Sequence, residues 1–98
     1  MPIQFIGLKS LKDEDVTSLQ RVTKTELPKI ERELKKAKVI IDIKRFEKDG
    51  NRSKFSLHAR LESPSLMFTA KADSWEIATA THMVFNKLST EIQRKFKT

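Results

Sequence analysis

The chain has 98 residues, enough for one domain around a single modest core and too few for a second beside it. Its 20 Lys and Arg outnumber its 13 Asp and Glu, leaving a net charge of +7, a surplus that attracts polyanions through counterion release and long-range steering. The lack of Cys excludes disulfides and thiolate chemistry and suits a reducing compartment, while no stretch approaches the roughly 20 apolar residues of a membrane span.

The opening MPIQFIGLKS is too short an apolar run for a signal peptide, so the expectation is a cytoplasmic protein folded as one domain over 1–98. Ile3, Phe5 and Gly7 alternate with Gln4 and Ile6, as in a short first strand, before a loop from Leu8 to Lys12. At Asp13 the period changes. Val16, Leu19, Thr23, Leu27, Ile30 and Leu34 recur at threes and fours along a long helix, with Asp13, Glu14 and Asp15 in the first turn where the dipole favours them. Pro28 interrupts that pattern, and an interior proline costs about 3 kcal/mol. The apolar stripe keeps its phase across Pro28, which favours one kinked helix; the alternative is a break near Thr25, with Pro28 in the first turn of a new helix.

Three strand-like runs follow. Val39, Ile41 and Ile43 alternate with Ile40, Asp42 and Lys44, and Asp49-Gly50 supplies the positive φ of a tight hairpin. Phe55, Leu57, Ala59 and Leu61 return antiparallel, with Lys54, Ser56, His58 and Arg60 on the other face. After a turn at Ser63-Pro64-Ser65, Leu66, Phe68, Ala70 and Ala72 complete the meander. Asp73 with Glu76 three residues later resembles a capping box opening a last helix, whose buried face reads Ile77, Thr81, Val84, Phe85, Leu88 and Ile92. The order β-α-β-β-β-α, with a sheet apolar on one face, predicts an α+β two-layer sandwich: a four-stranded sheet, both helices packed on that face and the other face open.

On the first helix, Arg21, Lys24, Arg32 and Lys35 fall opposite the apolar stripe, with Lys36 at the edge of their band; on the last, Lys87, Arg94 and Lys97 line one flank. Two such ridges, roughly parallel on adjacent helices, suit a phosphate backbone, although charged helix faces are more often only solvated; the net charge tips the balance towards binding. The open sheet face carries Lys44, His58, Arg60 and Lys71 with Ile40, Phe46 and Met67, and ranks below the ridges because Phe46 is the one aromatic placed there; Trp75 reads as a lid over the core edge. His58 and His82 form no metal-ligand pair by spacing, two glycines exclude a Gly-rich phosphate loop, and no catalytic string occurs. The chain is expected to be no enzyme, to need no cofactor and to bind no small-molecule substrate.

Nearly the whole chain resembles the ribosome hibernation-promoting factors and ribosome-associated inhibitors, also known as sigma-54 modulation or small-subunit interface proteins. The resemblance rests on the element order, on Ile3-Gln4-Phe5-Ile6-Gly7 as the opening strand and on Lys29-Ile30-Glu31-Arg32 late in the first helix. Asp73-Ser74-Trp75 ahead of the last helix and Lys87-Leu88 within it add to it. It implies a domain similar in shape to double-stranded-RNA-binding folds, a monomer when free, that lodges in the decoding channel of the small ribosomal subunit and reversibly inhibits translation. It also implies that Lys29, Arg32, Lys87 and Arg94 face ribosomal RNA, and, with the chain ending at Thr98, that this is a short form. Thr90 replaces an Arg usual in the family, and Pro28 interrupts a helix that is normally unbroken. The alternatives are a protein-interaction module using the open sheet face or edge, and a general binder of structured RNA.

Overall fold

In the computed structural model, residues 2–48, 50 and 52–96 are described. Strand β1 is Ile3–Ile6, followed by a 3-10 turn at Leu8–Ser10 and helix α1, Asp13–Glu33. Strands β2 (Lys38–Lys48), β3 (Arg52–Glu62) and β4 (Met67–Ser74) lead to helix α2, Ile77–Phe96. The sheet order is β1-β2-β3-β4: β1 runs parallel to β2 across the α1 crossover, and β2, β3 and β4 form an antiparallel meander. This is the predicted α+β sandwich.

The strand alternation settles which side is inside. Val39, Ile41, Ile43, Phe55, Leu57, Leu61, Phe68 and Ala72 are buried against Leu19 and Ile30 of α1 and the apolar stripe of α2 in one cluster. Small Ala70 and Ala72 on β4 let α2 approach that strand closely. Arg45, at the far end of β2, donates from Nε to Ser53 Oγ at 3.0 Å and from a terminal nitrogen to the Ser10 carbonyl at 3.4 Å, tying the 3-10 turn to the sheet.

Turn chemistry explains most boundaries. Gly7, expected within the first strand, instead leaves it at φ +94°, and a Cβ there would collide with the Ile43 carbonyl oxygen. In the β2–β3 hairpin Lys48 pairs with Arg52, and Gly50 between them has φ +73°; Asp49, the other half of the expected turn, lies outside the described residues. At the next turn the Ser63 N–H donates to the Leu66 carbonyl at 2.9 Å, and the Leu66 N–H donates to Ser63 Oγ at 3.1 Å.

Helix α1 runs unbroken through Pro28. The in-phase stripe expected of a single helix is real, but buried Glu26 belongs to it as well. Lys35 and Lys36, assigned to this helix from the sequence, lie on the bend beyond it, because the helix stops when the Leu34 N–H closes the last turn on the Ile30 carbonyl at 2.9 Å. The capping box expected from Asp73 and Glu76 does not form as read. Asp73 and Ser74 both lie in β4, paired with Ser56 and Phe55, α2 begins at Ile77, and in the bend between strand and helix Ser74 Oγ accepts the Glu76 N–H at 3.2 Å.

Candidate nucleic-acid interface

Arg21, Lys24, Arg32, Lys35 and Lys36 are all on the surface, Arg32 and Lys35 with their heads in one shallow hollow lined also by Pro28 and Glu31. Lys35 thus keeps company with the α1 ridge although it has left the helix. Lys29 is differently employed: its Nζ stands 2.8 Å from Oε2 of Glu26, close enough for an ion pair though off hydrogen-bonding geometry, and Glu26 is only 3% exposed. From the other side His82 of α2 brings Nδ1 to 3.2 Å of Glu26 Oε1. A carboxylate buried between two helices needs such company, since an uncompensated charge there is strongly destabilising. Lys29, itself half exposed, thus shares its charge between Glu26 and the surface.

The flank of α2 that meets α1 is marked by His82 and by Ser89, whose Oγ donates to Glu33 Oε1 at 3.3 Å. Lys87 and Arg94 project from the opposite flank. They share a hollow with Thr69, Ala70 and Lys71 of the edge strand β4, and Lys87 Nζ donates to the Lys71 carbonyl at 2.7 Å. Two residues of helix turn the direction by about 200°, which separates Lys87 from Ser89. The two basic ridges consequently occupy opposite outer sides of the helix layer instead of lying side by side, with the seam between the helices held by Glu26, Glu33, His82 and Ser89. Arg94 Nη1 lies 3.5 Å from Glu91 Oε1, an exposed pair with little hold on the guanidinium. Lys97 lies outside the described residues.

On the open face, register aligns Asp42, His58 and Lys71 in one row and Lys44, Ser56 and Asp73 in the next. The Ser56 hydroxyl, hydrogen-bonded to Asp73, holds that carboxyl below its ordinary range, helped by the positive charges of Lys54 and Lys71 and by His58. Sequence reasoning missed two features. Glu26 falls in phase with Leu19, Thr23 and Ile30, which was the available signal, but a Glu reads as solvent-facing and its partner His82 is remote in the chain. Trp75, taken for a lid over the core edge, is 44% exposed, and the Arg52 guanidinium lies 4.2 Å from its ring centroid. The parity of Arg52 with Lys54 and His58 placed it on the open face and was the available signal.

Among the described residues no group of three or more His, Asp or Glu is placed to hold a metal ion, and no helix is long and apolar enough to cross a membrane. By sequence, no family model and no curated protein matches the chain. By structure, it superimposes on the N-terminal domain of Protein Y from Thermus thermophilus with a TM-score of 0.72 at 15% identity, covering 97% of this chain and 99% of that one. A ribosomal subunit interface protein from Coxiella burnetii matches with a TM-score of 0.66 at 16% identity, covering 99% of this chain and 97% of the other. From first strand to last helix, the chain has the fold of the Protein Y N-terminal domain and of that ribosomal subunit interface protein.

Proposed function

We propose that this domain binds the small ribosomal subunit in its decoding channel and reversibly blocks translation by occupying it. The observation that carries the reading is the division of basic charge between two outer sides of one helix layer, Arg21, Lys24, Arg32 and Lys35 on one and Lys87 and Arg94 on the other. A domain charged on one side suits a flat polyanion. A domain charged on opposite sides suits a channel whose walls are both RNA, where each side finds its own phosphates. The likeness of fold to a protein described as a ribosomal subunit interface protein points the same way, as does the resemblance to hibernation-promoting factors. Binding of this kind needs no cofactor and no reaction, and a compact basic monomer acting in the cytoplasm fits it.

Arg32, Lys87 and Arg94 lie at the surface, so reversing all three to Glu is expected to leave the thermal unfolding midpoint within a few degrees of the parent while abolishing co-sedimentation with small subunits on sucrose gradients. Reversing the α1 or the α2 side alone should weaken binding and flatten its salt dependence, by about 0.7 to 0.9 in log–log slope for each phosphate no longer neutralised. Undiminished co-sedimentation of the triple variant would refute the assignment of these sides. Displacement by an unrelated RNA duplex would point to general RNA binding instead.

A further inference from the structure

The hairpin end of the open sheet face gathers features that the helix-side reading does not use. Phe46 on β2 is 46% exposed and pairs in register with Lys54 of β3. Trp75 lies in the bend directly after Ser74, the last residue of β4, which pairs with Phe55 of β3. Phe46 therefore stands beside Lys54 on the neighbouring strand, and Trp75 stands just past the end of the strand on the other side of β3. The guanidinium of Arg52 lies over Trp75, widening the flat surface, because a planar guanidinium is itself a stacking partner for bases. Next to this corner Lys44, Lys54, Lys71 and His58 line a hollow of about 370 Å³. It shares His58 and Lys71 with a second hollow reaching Arg60, Ile40 and Asp42, so one trough runs along the face, in which Lys44, Lys54, Arg60 and Lys71 outnumber Asp42 and Asp73.

We infer that this corner is a binding site for single-stranded nucleic acid, with bases stacking on Trp75–Arg52 and on Phe46 and the phosphates held by Lys44 and Lys54. Cations set between exposed rings on an open sheet are what a single strand requires: stacking is available to any base, and the positive trough follows the backbone. A duplex cannot use the same surface, since its bases are already stacked and its deep groove is closed to side chains. Asp73 also lines the trough, its carboxyl held below the ordinary range first by the Ser56 hydroxyl and then by Lys54, Lys71 and His58. An acidic peptide would satisfy the cations but makes no specific use of exposed rings. The site meets the α2 flank only along β4, at Lys71 and its neighbours, and its stacking residues and phosphate-holding lysines lie on neither helix flank, so it does not depend on binding to the ribosome.

Trp75 is the only tryptophan of the chain, so its fluorescence reports on this corner alone. Titration with an oligouridylate of about ten nucleotides, within the range a single small domain covers, should quench it saturably and less at higher salt. Anisotropy of the same labelled oligonucleotide should show binding about five- to a hundredfold weaker for Phe46→Ala and for Trp75→Ala, the range expected for loss of one stacked base. Lys44→Glu with Lys54→Glu should weaken it at least as much, and circular dichroism of each variant checks folding. The Arg32→Glu, Lys87→Glu, Arg94→Glu protein should retain the quench, and the Phe46 and Trp75 variants should still co-sediment with ribosomes, so the two surfaces succeed or fail separately. No quench, an equal response to a duplex or to an acidic peptide, or equal affinity of folded variants and parent would overturn the proposal.

Discussion

Helices α1 and α2 are of nearly equal length, 21 and 20 residues, yet they are held by different chemistry. The buried residues of α2 are Ile77, Ala80, Thr81, Val84, Phe85, Leu88 and Ile92; the one polar member, Thr81, donates its hydroxyl to the Ile77 carbonyl at 2.7 Å. The buried residues of α1 are Leu19, Thr23, Glu26 and Ile30, half of them polar, and the helix also contains Pro28. Helix α2 lies against β3 and β4, whereas α1 lies closest to α2 and reaches the sheet's core through Leu19 and Ile30. The lesson is that similar hydrophobic periodicity can describe a structural anchor and a marginal passenger. What separates them is whether each buried polar atom has an internal partner.

The sharpest test of this contrast is Phe85→Ala, which empties one of the largest fully buried side chains, 2% exposed, from the centre of the core. It should cost about 3–5 kcal/mol in urea unfolding and threaten the fold as a whole. Pro28→Ala acts in the opposite direction. Pro28 is exposed, lacks the N–H that would reach the Lys24 carbonyl and sits where alanine is the better helix former, so the variant should gain about 1–3 kcal/mol. Slower amide exchange confined to α1 would show that the gain belongs to the passenger helix; a loss of stability would mean that the proline fits a bend the packing requires. Smallest is Thr23→Val. Thr23 is 6% exposed and its hydroxyl has no hydrogen-bond partner among the described residues, so a same-shaped apolar side chain should add about 1 kcal/mol. If Thr23→Val is destabilising, an internal water satisfies that hydroxyl and the contrast between the helices is smaller than drawn here.

Much of the fold was legible because local signals agreed with one another. The stripe from Val16 to Leu34 held its phase through Pro28, and alternation in the runs around Ile41, Leu57 and Phe68 distinguished the faces of the meander. The errors fell where a one-residue shift changes the answer or where the partner is remote. Asp73 and Ser74 are both good cap residues by type, yet β4 runs through both of them and the helix starts only at Ile77. Lys35 stays in phase with the α1 ridge after the helix has ended, so periodicity could not place the boundary. The basic residues of each helix were readable, but their relation was not: it depends on the rotation of α2 against α1, fixed by interactions such as Ser89 to Glu33 that no periodicity encodes. Trp75 was misjudged because its surroundings are built by Arg52, on another strand.

The hydrogen bond from Lys87 Nζ to the Lys71 carbonyl has a meaning beyond recognition. Strand β4 borders the sheet, and an uncovered border is a template on which another polypeptide can align and polymerise. An ammonium seated on that border occupies one of its acceptors and obliges any incoming copy, itself strongly cationic, to approach a like charge. The lysine therefore acts as a colloidal guard, and its loss should be felt first in how concentrated a solution of this protein can become before it precipitates.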